Sequence, residues 1–291
     1  MISCDEFLNN TMRYSKDFSV MNFWPCSNPA NRDEFCYVSG DMTNHELRVH
    51  NMKTNKNYSV GKGTFYGEPI WSSNGYIYVI NNNYEIEKHN RLTKSKSIIF
   101  SGYGTIAYLS SSPLGDKLIL QRVEADSLQS IVISEDGAIL DRFYYTPSYT
   151  DTFLYYQGTW YSEDNVVVSS LNCGIAKTSF SSRSIDSISP RLGKKPWDCL
   201  ERVYGCESCE NYYAIILNDG IWKIDVNNGS STVIKSSCIL KEYLSLNLLD
   251  QNTALVTKEI CQALDYSRLV CRRAIFTLDL QSGKETEIVL P

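Results

Sequence analysis

Histidine is scarce in this 291-residue chain, and all three examples, His45, His50 and His89, fall in its first third. A multi-histidine metal centre draws ligands from several parts of a fold, so that class is excluded and no metal is expected. No G-x-S-x-G occurs, which removes the nucleophile-elbow hydrolases. Positive charge is in deficit: 28 Lys and Arg stand against 33 Asp and Glu, a net charge of −5. A general nucleic-acid binder needs clustered cations, and the short basic patch Arg191–Lys195 reads as a solvated turn; nucleic acid is excluded as a partner. No apolar stretch approaches the roughly 18–20 residues that span a bilayer. Proline is sparse, and no linker rich in Pro or Gly divides the chain, which favours one domain over two. Val60-Gly61-Lys62-Gly63-Thr64 lacks the spacing and following helix of a phosphate-cradling loop. No cofactor is expected.

Helical periodicity is also missing. Apolar residues alternate, or come in runs of four to seven bounded by Gly, Asn, Ser and Pro, which is the pattern of many short strands. The 20 Tyr suit half-buried strands. A phrase recurs: Pro69-Ile70-Trp71-Ser72-Ser73-Asn74-Gly75-Tyr76-Ile77-Tyr78-Val79 returns as Ala107 to Leu120, around Ser112-Pro113-Leu114-Gly115-Asp116. A second phrase, Gly220-Ile221-Trp222-Lys223-Ile224-Asp225, is answered by Ala274-Ile275-Phe276-Thr277-Leu278-Asp279. His50-Asn51 and His89-Asn90 hold the place of Asp225 and Asp279, where a short polar residue suits a strand entering a hairpin turn. That repeat position makes the two histidines turn residues rather than metal ligands. Six units follow, at 17–60, 61–101, 102–146, 147–190, 191–236 and 237–291. Repeats of this size, with four strands each, predict an all-β propeller of six four-stranded blades around a central channel.

Ten cysteines show no dense disulfide framework. Cys26 and Cys36 flank a turn and are placed to face each other across a hairpin, and Cys261 and Cys271 bracket another. Cys206-Glu207-Ser208-Cys209 is a lone close pair, short of the two pairs of a structural zinc site. Buried thiols or local disulfides are the default for all of these.

The Trp71-Ser72 to Tyr78 segment, Ser112 to Leu118 and Ile221-Trp222-Lys223-Ile224-Asp225 resemble the blade motifs of TolB-like propellers. That pattern runs Trp-Ser-Pro-Asp-Gly, an apolar strand, then Ile-Trp-x-x-Asp and a turn with Gly. The spacing extends over residues 17–291, and the motifs are clear in three or four units. The resemblance implies a six-bladed ring that binds proteins or peptides; the family's small N-terminal α/β domain is missing. Met1-Ile2-Ser3-Cys4 resembles the end of a lipoprotein signal, with Cys4 as the lipidated residue and residues 1–16 as a tether. The chain is thus similar to propeller lipoproteins of Bacteroidetes-type envelopes; a cytoplasmic scaffold is the alternative if Met1 is the native start.

The expected function is non-catalytic binding of a protein, peptide or glycan by a monomeric propeller, on the face where second-to-third-strand loops and interblade connections meet. Asp41, Asn81, Glu124, Asp126, Asn172, Asn218 and Asp219 would present polar groups there, with Tyr66, Tyr103, Tyr149 and Trp197 as aromatics. The alternative is a hydrolase or lyase acting on polysaccharide or peptide through paired carboxylates in the channel.

Overall fold

In the computed structural model the described residues are 15–41, 43–102, 105–124, 127–145, 159–162, 165–169, 175–179, 181–182, 185–189, 200–204, 211–216, 219–225, 228–238, 240–263 and 268–290. All regular structure among them is strand. The strands come in consecutive fours. The first four are β1 (Ser15–Asn28), β2 (Asn31–Gly40), β3 (His45–Asn51) and β4 (Lys56–Gly63). The next are β5 (Ile70–Trp71), β6 (Tyr76–Ile80), β7 (Ile86–Asn90) and β8 (Lys96–Phe100), then β9 (Thr105–Ser111), β10 (Lys117–Glu124), β11 (Ser127–Ser134) and β12 (Ile139–Tyr145). The third quarter of the chain holds β13 (Thr159–Ser162), β14 (Asn165–Ser169), β15 (Ile175–Ser179) and β16 (Ile185–Ser189). It is followed by β17 (Leu200–Tyr204), β18 (Asn211–Ile216), β19 (Gly220–Asp225) and β20 (Ser231–Ser236). The last four are β21 (Lys241–Leu248), β22 (Thr253–Ala263), β23 (Arg268–Asp279) and β24 (Glu285–Glu287).

Four of these groups are separate four-stranded antiparallel meanders. The first and last groups are joined into one eight-stranded sheet, because β1 pairs in parallel with β23 from Ser15↔Arg268 to Met21↔Arg273. The joint begins inside the stretch read as a tether, at Ser15. It needs unusually long strands: the β22–β23 hairpin projects past the usual blade length and offers β1 a free edge.

The repeated turns show why the sequence echoes itself. Asn51, Asn90, Asp225 and Asp279 each end a third strand. Each accepts a main-chain N–H from its own turn: Thr54 at 2.9 Å, Leu92 at 2.9 Å, Asn228 at 3.3 Å and Ser282 at 2.6 Å. Four residues on, Asn55, Lys94, Gly229 and Gly283 all turn to positive φ, between 52° and 68°. That conformation costs a glycine little, which explains the Gly of the later units. His50 and His89, beside these caps, are buried on the neighbouring face of the sheet. Apolar side chains fill the spaces between groups. Trp71, Ile77 and Val79 of the second group pack on Cys36, Val38 and Leu47 of the first. Tyr213 and Ile215 of the fifth pack on Leu246, Val256 and Leu278 of the last.

The two cysteine expectations have different outcomes. Cys261 and Cys271 face each other across β22–β23 and form a disulfide. Cys26 and Cys36 also lie directly opposite across β1–β2, but both are free, buried thiols. Burial, and the neighbouring Cys26 thiol, push the Cys36 thiol well above the usual range.

Candidate functional site

Strand alternation places the second-to-third-strand loops and the connections between groups at one end of the strands. There the turn after β2, the connection after β4 and the turn after β6 are tied together. Thr64 Oγ1 donates to Thr43 O at 2.5 Å, and Phe65 N–H donates to His45 Nδ1 at 3.0 Å. Tyr66 N–H donates to Ile80 O at 2.8 Å, and Phe65 pairs with Asn81 as an isolated bridge. The result is a fixed seat for Tyr66, 46% exposed, whose ring stacks on Tyr84 with centroids 5.5 Å apart and planes 14° apart. Tyr84 holds a positive φ of 57° at the end of the Asn81 turn, which turns its ring towards Tyr66. Tyr66 was expected at this face from the sequence. Tyr84 was missed, although its position after Asn81-Asn82-Asn83, in a turn rich in left-handed formers, was a usable signal.

The polar residues expected here serve their own turns. Asp41 Oδ1 accepts Thr43 N–H at 2.8 Å and Asn44 N–H at 2.7 Å, bonds that hold its carboxyl far below the usual range. Asn81 is buried; its Oδ1 accepts Asn83 and Glu85 N–H, while its Nδ2 donates to Glu85 and Glu87. Asp219 accepts the Trp222 indole N–H at 3.1 Å. Glu124 ends β10. Asp126, Asn172, Asn218, Tyr103, Tyr149, Trp197 and Cys4 lie outside the described residues.

Beneath the Asn81 turn, Glu87 Oε2 contacts His89 Nε2 at 2.9 Å and Glu87 Oε1 takes Lys96 Nζ at 3.1 Å. His89 packs edge-on against Gly61, where a Cβ would sit 2.7 Å from its ring; the glycine is there for this close approach. The His89 bond, with further bonds from Asn81 and Lys96, outweighs burial and holds the Glu87 carboxyl down to about 2. A carboxylate lowered on folding stabilises the fold above its unfolded value near 4.5, and that stability is lost as pH falls through about 2. In a pH series of unfolding midpoints, Glu87→Gln should therefore start lower than the parent at neutral pH. The gap should close between pH 4.5 and 2. Parallel curves across that window would refute the assignment.

Paired buried carboxylates do exist, though not as the catalytic reading requires. Glu242 and Glu259 are register partners on β21 and β22 and are both buried. Lys16 Nζ reaches Glu259 Oε1 at 2.6 Å and Glu242 Oε2 at 3.9 Å, and Arg273 Nε takes Glu259 Oε2 at 3.0 Å. Both Glu259 oxygens are committed to cations, so the group fastens β1 to the last sheet. Glu259, Cys261 and Cys271 also bring their ligand atoms within 4.8 Å of one another, but the two sulfurs are bonded to each other. Tyr204 Oη donates from β17 to Glu68, before β5, at 3.3 Å, a bond between the fifth and second groups.

Two cavities lie at the opposite strand ends. One, about 420 Å³, is lined by Arg32 and the Asp250–Thr253 turn; the other, about 170 Å³, lies between the fifth and last groups. Neither is lined by a residue expected at the binding face.

A putative TolB from Agrobacterium tumefaciens is similar with a TM-score of 0.62 at 13% identity, over 85% of this chain and 89% of that one. TolB from Acinetobacter baumannii gives 0.62 at 12% identity, over 90% and 62%. The β-propeller domain of the Trilobed protease from Pyrococcus furiosus, described as having an open velcro topology, gives 0.56 at 13%, over 93% and 95%. The fold is a β-propeller. Structures named as peptidases, and one named as an oligogalacturonate lyase, are similar too, so the likeness extends to proteins named as enzymes. No family model and no curated protein matches the sequence. Within the propeller, the joint made by β1 on β23 is the place where the first and last groups of strands meet.

Proposed function

We propose that this propeller is a non-catalytic binding protein of the cell envelope, holding a protein, peptide or glycan against the strand ends that carry Tyr66 and Tyr84. The observation that carries the reading is the stacked pair itself, with Tyr66 exposed and the half-buried Tyr84 beside it packed on the core. Two rings locked by main-chain bonds give a flat apolar contact that loses little conformational entropy on binding, as anchor residues at recognition surfaces do. Asp41 and Asn81 shape the rim on either side by fixing their turns. The likeness to structures named TolB supports a binding role, and the Cys261–Cys271 bond supports an oxidising compartment. Cys4 would be the anchor if a lipid is attached.

The test is a combined peptide and glycan array probed with the parent protein and with Tyr66→Ala and Tyr84→Ala. A bound probe should weaken by about tenfold or more in each variant, the cost of losing an aromatic hot spot. Binding that both variants retain in full would overturn the proposal.

A further inference from the structure

The smaller cavity, on the far side of the molecule from Tyr66, has the chemistry of a binding site for a small anion. Its volume, about 170 Å³, is below the roughly 300 Å³ at which sites for drug-sized ligands begin, and suits a molecule of one sugar or one amino acid. Tyr213 and Lys223 are register partners on β18 and β19, so their side chains leave the same face of the sheet side by side. Both line the cavity, as do the amides of Asn211, Gln251, Asn252 and Gln281.

Three features separate this lining from an ordinary solvated surface. The first is charge: among the described residues that line the cavity, Lys223 is the one ionisable group with a charge at neutral pH. Two residues along the same strand, the Asp225 carboxylate is turned into its own hairpin, where it accepts Asn228 N–H at 3.3 Å. The second is unused bonding capacity. Among the described residues the Lys223 ammonium, the Tyr213 hydroxyl and the side-chain amides of Asn211 and Gln251 hold no hydrogen bond or ion pair. Elsewhere among the described residues Lys16, Lys88 and Lys258, all largely buried, each meet a carboxylate, and the half-buried Lys235 donates to Gly283 O at 3.0 Å. The third is rigidity. Gln281 Nε2 donates to Asn252 Oδ1 at 2.8 Å and Leu280 N–H to Asn252 O at 2.8 Å, so the wall opposite Lys223 is held in place by the last group's two turns.

From this arrangement we infer that the cavity binds a small carboxylate carrying neighbouring hydroxyl or amide groups. Lys223 and the Tyr213 hydroxyl take the carboxylate, and the amides of Asn211 and Gln251 take the polar remainder. A charge-assisted bond to Lys223 supplies the selection for an anion, and the amides, as both donors and acceptors, suit sugar hydroxyls or a peptide group. This site is independent of the aromatic face.

Calorimetric titration with glucuronate, N-acetylalanine and glucose tests it, with melting curves confirming that each variant is folded. One of the two carboxylates should bind, which of them binds distinguishes a sugar acid from a peptide-like ligand, and glucose should be weaker by about tenfold or more. Lys223→Met should cost about tenfold, and Gln251→Ala on its exposed turn should cost a smaller factor. Failure of both carboxylates to bind, equal binding of glucose, or full affinity in folded Lys223→Met would each overturn the inference.

Discussion

Glu259→Ala should destabilise this protein by about 3 kcal/mol, at the lower end of the cost of removing one partner from a buried ion pair. Glu259 is 2% exposed and is the common partner of Lys16 and Arg273. Without it, Arg273 is left with the rings of Phe18 and Phe23, over which its guanidinium already sits at 4.7 Å and 5.7 Å, and Lys16 with Glu242 at 3.9 Å. The cations are about a quarter exposed, so water recovers part of the loss, which is why the estimate sits at the bottom of the range. The melting midpoint should fall by roughly 6–10 °C. Because the cluster fastens β1 to β23, amide exchange should rise first along residues 15–21. Lys16→Ala made in the Glu259→Ala background should cost less than it does alone, since the closer of its two carboxylates is already gone and only Glu242 remains. An unchanged midpoint together with unchanged exchange at β1 would show that the cluster is not what closes the sheet.

That joint is where the sequence was least legible. The four-strand phrases could be read where their turns use side chains that declare themselves: Asn51, Asn90, Asp225 and Asp279 cap equivalent hairpins, followed four residues later by Gly in the later units. A parallel contact between the two ends of the chain leaves no such local mark. Phe18 to Trp24 reads as an ordinary strand whichever edge it pairs with, and Lys16 reads as part of a polar tether until Glu259 is found beside it. The long β22 and β23 were the available signal, since Lys258 to Ala263 and Arg268 to Arg273 extend both strands beyond the length of most others.

The candidate sites divide in the same way. Asp41 and Asn81 were visible as polar loop residues, but loop polarity does not distinguish a ligand contact from a turn cap, and the structure assigns their side chains to capping. Tyr66 became informative only with Tyr84 beside it. Tyr213 and Lys223 sit in strands that read as blade core, and only the cross-strand register and the neighbouring group's turns make a cavity of them. Repetition reports the frame well because each unit must solve the same packing problem. Sites arise where units meet, and that information is distributed over distant residues.

Removing the Cys261–Cys271 bond should produce a second large loss. The two cysteines are ten residues apart, and closing a loop of that size is worth slightly under the roughly 3 kcal/mol given for fifteen residues in the chain-entropy treatment. Cys261→Ala/Cys271→Ala should therefore lower the melting midpoint by roughly 5–8 °C. The parent should lose at least as much on adding dithiothreitol, because Cys238 is disulfide-bonded too, whereas the double variant should respond less to the reductant. Cys26→Ala/Cys36→Ala provides the contrast: its thiols are free, so the shift caused by dithiothreitol should match that of the parent. The bond closes the projecting end of the hairpin against which β1 pairs, and Cys261 Sγ lies 3.7 Å from Glu259 Oε1. Losses from Glu259→Ala and from the cysteine pair should accordingly fall short of additive. Full additivity would mean that the disulfide and the ion cluster hold separate parts of the propeller; a shortfall of about 1 kcal/mol would make them a single clasp on its first strand.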